Sequence, residues 1–162
     1  MAESPRDPGS GQADRLRRVT IRTAESSDAR AIAALVPELT GSPVDPDQLT
    51  ADLVAVAAQD NSLVLVAEAE GEVVRFLYIH LIRTLLRPGC WARLASMAVG
   101  PAHHRLGVGT ALVRTAEEFA IAAGADSIEL TSGNHRDGAH RFYESLGYEV
   151  TTGSRWYAKG LR

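Results

Sequence analysis

The stretch that most constrains the fold of this chain runs from Trp91 to Gly124, WARLASMAVGPAHHRLGVGTALVRTAEEFAIAAG. An apolar run ending at Val99 passes through a short loop to Gly107 and Gly109, which open an amphipathic helix with Val108, Ala111, Leu112, Thr115, Ala116 and Phe119 on one face. Glycines at such a turn let the backbone approach a ligand, and the first N–H groups of the helix present the positive end of its dipole to an anion. Strand, glycine turn and helix in this order make a phosphate-holding turn.

Gly-x-Gly alone marks only a bend, so its neighbours decide the reading. A P-loop requires Gly-Lys-Ser/Thr, whereas Gly109 is followed by Thr110 and Ala111. The dinucleotide fingerprint would put its third small residue at Leu112, too large for close helix–strand packing. Its acidic ribose ligand would be Glu129, at the right offset but inside the run Ser127-Ile128-Glu129-Leu130. A nucleotide-cofactor oxidoreductase is therefore an alternative that predicts binding of NAD(P) and not of CoA.

The remaining pattern surrounds this unit. Residues 1–17, rich in Ser, Pro, Gly, Asp and Arg, are expected to be a disordered tail, and 18–162 a single domain. Val19-Thr20-Ile21-Arg22 alternates like a strand, and a helix from about Ser27 to Val36 should end at Pro37. Asp45-Pro46 makes an N-cap and first turn for a second helix reaching about Gln59. Ser62–Glu68 and Val73–His80 read as a hairpin turning at Glu70-Gly71, with a third antiparallel strand over Trp91–Val99. Gly124 should stop the helix that begins at Gly107. The expected order is β-α-α-β-β-β-α-β-α-β-β, an α/β (α+β) fold with four helices flanking a central mixed, mostly antiparallel sheet.

Read with its neighbours, His104-Arg105-Leu106-Gly107-Val108-Gly109 resembles the Gln/Arg-x-x-Gly-x-Gly/Ala motif of the GNAT superfamily of acyl-CoA-dependent N-acetyltransferases. The run Met97-Ala98-Val99, the strand after the helix, and Ala139-His140-Arg141-Phe142-Tyr143-Glu144-Ser145-Leu146-Gly147-Tyr148 match at the expected places, so the resemblance spans about Thr20 to Lys159. His104 stands where the family usually has glutamine or arginine. The resemblance implies a splayed strand pair with pantetheine in the gap, held by the backbone of Met97, Ala98 and Val99 much as an added strand would be. The pyrophosphate of acetyl-CoA, the cosubstrate, would lie against His104, Arg105, Leu106, Gly107, Val108, Gly109 and Thr110.

The implied chemistry is direct attack of an amine on a thioester. An ammonium with a pKa near that of lysine, about 10.4, must first lose its proton, and the tetrahedral oxyanion needs a donor, in this family a backbone N–H near Val99. Tyr143 matches the family's general acid for the departing thiolate; by periodicity alone it also reads as a core aromatic beside Phe142. The strand Ala92–Ala98 carries no acid, and Ser96 has no useful basicity. His80 is the leading replacement as general base, with a strand histidine of no chemical role as its equal alternative. Glu68, Glu70 and His135 are further candidates. Without a transfer role, the chain would be an acyl-CoA-binding module of the same fold.

Thr131–Tyr143 resembles the small-molecule N-acetyltransferases related to aminoalkylphosphonate- and aminoglycoside-acetylating enzymes, some of which carry Arg-x-x-Ala-His-x-Phe-Tyr here. Arg136 reads as a phosphate or helix-start contact, or as a surface ion-pair partner. His103, His104, His135 and His140 show no metal-ligand spacing, so no metal is expected. In this fold the acceptor pocket is formed by the loop between the first two helices, about Pro37 to Pro46, and by a final hairpin around Thr151–Arg155. Neither segment carries a readable code, and peptide or protein amines stay open as acceptors.

A net charge of −3, from 17 Lys and Arg against 20 Asp and Glu, argues against nucleic acid and favours a cationic substrate. Cys90 is the only cysteine, expected as a small apolar residue at a strand start. No membrane-length apolar run or secretory leader is evident, so a cytoplasmic address is expected. A homodimer is expected by resemblance alone.

Overall fold

The structure is a computed structural model and describes residues 19–83, 85, 89–99, 107–151 and 159–160. It divides into two compact units, residues 1–131 and 132–162. In the first, β1 (Val19–Thr23) is followed by a 3-10 turn at Ser26–Asp28, α1 (Ala29–Thr40), α2 (Pro46–Ala57), β2 (Ser62–Ala69), β3 (Glu72–Arg83), β4 (Cys90–Val99), α3 (Val108–Ala122) and β5 (Ala125–Leu130). The second contains α4 (Asp137–Ser145). The sheet has the order β1-β2-β3-β4-β5, antiparallel except for the parallel β4–β5 pair. A parallel pair needs a crossover, and α3 provides it.

Alternation along the strands gives the sheet two faces. On one, Val66, Phe76 and Ala98 pack with Ala29, Ile32 and Leu35 of α1 and Leu53 of α2. The opposite set of buried residues, Leu65, Ala67, Leu77, Ile79, Leu81, Ala92 and Leu94, belongs to the face against which α3 lays Val108, Leu112, Val113 and Ala116. Arg75 shares that second face and is only 5 % exposed, and burial lowers its pKa. The β2–β3 turn is as anticipated: Glu70 (φ 54°) and Gly71 (φ 83°) are both left-handed, as the two-residue turn matched to strand twist requires. Asp45 caps α2 by accepting from the Asp47 N–H at 3.0 Å, and Cys90 opens β4, buried, as expected.

Two expectations need correction. Pro37 does not end α1, which continues to Thr40 and stops at Gly41 (φ 74°), whose N–H bonds to the Pro37 carbonyl at 2.8 Å. Val36 and Leu39, flanking the proline, both pack on the core. That apolar contact offsets the helical bond lost at Pro37, a cost of about 3 kcal/mol. The loop between α1 and α2 is accordingly only residues 41–45, shorter than Pro37 to Pro46. Of the expected closing hairpin, Thr151 is outside any strand and residues 152–155 lie outside the described residues, as does the tail over 1–17.

Sheet and helices are tied at Asp28. Its carboxylate accepts from Arg22 Nη1 and Nη2 at 2.7 and 2.9 Å and from the Glu25 N–H at 2.8 Å, while Arg22 Nε also donates to Glu68 at 3.0 Å. The guanidinium is the main reason that the Asp28 pKa is lowered, burial opposing it. A depressed carboxylate contributes stability that is present above its unfolded value, about 3.9, and is lost as pH falls through the folded value. Asp28→Asn is expected to cost roughly 2 kcal/mol at pH 7, between an exposed and a fully buried ion pair. Urea unfolding from pH 7 to 3 checks this: the gap between wild type and variant should narrow towards acid, and a constant gap would contradict the account.

Candidate active site

The site is built where β5 stops and β4 does not. β4 and β5 are in register through Leu94↔Leu130, whereas β4 continues to Val99 in register with β3 alone. Immediately beyond the last shared rung, the β3–β4 register skips Ala95 (Ile79↔Leu94, then Tyr78↔Ser96). This bulge bends β4 where its neighbour departs. Past it lie half-buried Met97, Ala98 facing the α1/α2 core, and Val99, the last residue of β4, opposite Arg75.

α3 starts at Gly107, whose left-handed conformation (φ 72°) suits glycine and which has no side chain to cap the helix. Ala111 N–H bonds to the Gly107 carbonyl at 3.1 Å. The N–H groups of Val108, Gly109 and Thr110 precede the first intrahelical bond, so they are the donors a helix start offers an anion. Val108 and Gly109 are buried and Thr110 is exposed. His104, Arg105 and Leu106 lie outside the described residues.

One rung crosses three strands on the α1/α2 face, beyond the part those helices fill: His80 of β3, Arg93 of β4 and Glu129 of β5. Arg93 Nη1 donates to Glu129 Oε1 at 3.1 Å and Nη2 to Thr131 Oγ1 at 3.4 Å, and Trp91 Nε1–H donates to the same Glu129 oxygen at 3.0 Å. His80 lies against Tyr78, with ring centroids 5.6 Å apart, and its Nδ1 is buried with no hydrogen-bond partner among the described residues. Burial, and then the Arg93 cation, hold the imidazole below its usual pKa. It is therefore neutral at pH 7, with a lone pair able to take a proton.

In the second unit, α4 begins at Arg136, whose carbonyl accepts from Ala139 and His140 N–H at 2.9 and 3.1 Å. His140 Nε2 is 3.0 Å from the Gly133 carbonyl, which ties α4 to the preceding loop and gives that histidine a structural job. Tyr143 packs edge-on between Phe142 and Tyr148, with centroids at 5.2 and 5.6 Å. Burial raises its hydroxyl pKa and the nearby Arg136 cation opposes the rise. The phenol is therefore protonated throughout the neutral range. Among the described residues no group of three or more His, Cys, Asp or Glu is arranged to hold a metal, and no helix is long and apolar enough to cross a membrane.

His80 stands out in the sequence, whereas Arg93 and Trp91 carry no local signal there. Glu129 stands out in the sequence only by its distance from the glycines. A charged residue on each of two strands was the available signal, but their partnership depends on strand register.

Comparison with known proteins adds lineage to this geometry. The model of the family described as "Acetyltransferase (GNAT) family" matches residues 16–148. Aminoalkylphosphonate N-acetyltransferase of Salmonella typhimurium is 30 % identical over 129 residues, covering 80 % of this chain and 84 % of that protein. Among solved structures, a transcriptional regulator from Bacillus halodurans superposes with a TM-score of 0.78 at 24 % identity, covering 87 % of this chain and 99 % of that one. The aminoglycoside N-acetyltransferase AAC(6')-Iy in complex with CoA has a TM-score of 0.75 at 17 % identity, covering 87 % and 94 %.

Proposed function

The chain belongs to the GNAT acetyltransferase family and is an acetyl-CoA-dependent acyltransferase, and on that premise we propose that it acetylates a primary amine of a small molecule. The observation that carries the acceptor class is the match to an aminoalkylphosphonate N-acetyltransferase over 80 % of the chain. The geometry is consistent with the cosubstrate: β4 runs on past β5 beside a helix that opens on a left-handed glycine.

In this reading the β4 backbone at Met97, Ala98 and Val99 holds the pantetheine arm, and residues 104–110 hold the pyrophosphate, with Arg136 as a further phosphate contact. Acetyl-CoA supplies the thioester. His80 takes a proton from the acceptor ammonium, the freed nitrogen bonds to the acetyl carbon, the carbon–sulfur bond breaks as Tyr143 protonates the sulfur, and the nitrogen gives up its second proton, which restores the Tyr143 phenol and leaves the amide. The domain that does this is 18–162, and the protein works in the cytoplasm.

Turnover of acetyl-CoA with a panel of small primary amines, followed by release of free thiol, tests the acceptor class. Because the His80 pKa is lowered, kcat should fall only on the acid side of about 6.5, the ordinary histidine value. His80→Gln should remove that limb. An unchanged limb would exclude His80 as the base, and no thiol release with any small amine would exclude the small-molecule acceptor.

A further inference from the structure

We propose that Glu129 forms a cation subsite for the acceptor, so that the amine acetylated by this protein carries a second positive charge. The inference deepens the transferase reading and rests on it.

Place, orientation and exposure support it independently. Glu129 is one residue before the last β4–β5 rung, next to the point at which the strands part company. Both donors that reach its carboxylate, Trp91 Nε1–H and Arg93 Nη1–H, bond to Oε1. They fix the group and leave Oε2 without a hydrogen bond among the described residues. The Glu129 side chain is 52 % exposed and that of Arg93 only 19 %. A solute meeting this cluster therefore meets a carboxylate oxygen, while the guanidinium behind it is occupied by Glu129 and Thr131.

His80, on the same rung, is held neutral and adds no positive charge to the patch. Two interstrand spacings separate the β3 and β5 backbones on that rung, about 10 Å. An extended hexamethylene chain covers a distance of that order, so one nitrogen of a diamine can stand at His80 while the other meets Glu129. The fixed carboxylate would then select acceptors by charge at the end remote from the reacting nitrogen.

Hexamethylenediamine and hexylamine are the probes, equal in chain length and differing in one charge. With wild type, kcat/KM for the diamine should exceed that for the monoamine about fivefold, the factor expected of a solvent-screened ion pair. Glu129→Gln, which keeps an oxygen for Trp91 and Arg93, should abolish that ratio, while KM for acetyl-CoA and the unfolding temperature stay at wild-type values. Equal use of both amines by wild type, or a ratio unaffected by Glu129→Gln, would overturn the subsite and leave the transferase reading standing. Acetylation of neither these nor any other small amine would overturn both.

Discussion

Tyr143→Phe is expected to lower kcat by about a hundredfold while KM for acetyl-CoA stays within about twofold of wild type. The change removes one oxygen and leaves the edge-on packing with Phe142 and Tyr148 in place, so any loss reports the hydroxyl. General acids contribute about a hundred- to ten-thousandfold. Burial argues for the lower end: it keeps the phenol protonated but also makes it a weaker acid towards a thiolate, whose ordinary pKa of about 8.5 lies well below that of tyrosine. The same shift fixes the sign of the pH dependence. Wild-type kcat should decline only above about 10, where an ordinary tyrosine ionises, and the variant should lack this alkaline limb. Steady-state kinetics from pH 6 to 11 measure both, and wild-type turnover in the variant would remove Tyr143 from the mechanism.

The second large effect is expected at the helix start. Acetyl-CoA at about one hundred times its dissociation constant should stabilise wild type by about 2.7 kcal/mol, and Gly107→Val, by weakening affinity at least about tenfold, should lose about half of that gain or more. Gly107 has φ 72°, a left-handed conformation that costs an L-residue about 1–2 kcal/mol and a β-branched one more. Valine must either accept the strain or shift the first turn of α3, and the second response moves the N–H groups of Val108, Gly109 and Thr110 away from an anion. Thermal unfolding with and without acetyl-CoA reads both responses. An undiminished shift in the variant would mean that the cosubstrate does not use this turn.

Much of the framework could be read directly because local chemistry dictates it. Asp45-Pro46 announces a helix start, Glu70-Gly71 a tight hairpin, and Gly124 a helix stop; each signal is confined to a few residues, and each element stands where the pattern put it. Pro37 shows where local chemistry is outweighed. A helix breaker is tolerated because Val36 and Leu39 pack on the core, which is a tertiary fact absent from the pattern. The site divides in the same way. Gly107 and Tyr143 belong to motifs contiguous in sequence, whereas Glu129 meets Trp91 and Arg93 from more than thirty positions away. Nothing in either segment foretells that bond; it follows from which rung of β4 faces which rung of β5.

That pairing depends on an uneven count. From Cys90 to Ala92 the chain advances two residues, while its partner advances three, from Ala125 to Ile128. The supernumerary residue sets the parity of everything after it: Ile128 and Leu130 turn to the side of Ala92 and Leu94, and Glu129 to the side of Arg93. Were the present chain paired one-to-one from Cys90, without the bulge, Glu129 would stand opposite Leu94 and be driven towards the oily side of the sheet, with Ile128 delivered to solvent. Asp126 and Ser127, both exposed, lie where the bulge absorbs the extra residue, and the bulge more than their side chains decides which face Glu129 takes. A chain with one residue fewer between Ala125 and Ile128 would keep Ile128 opposite Ala92 by pairing one-to-one, so natural variation in this segment should be free in letters and should tolerate that loss.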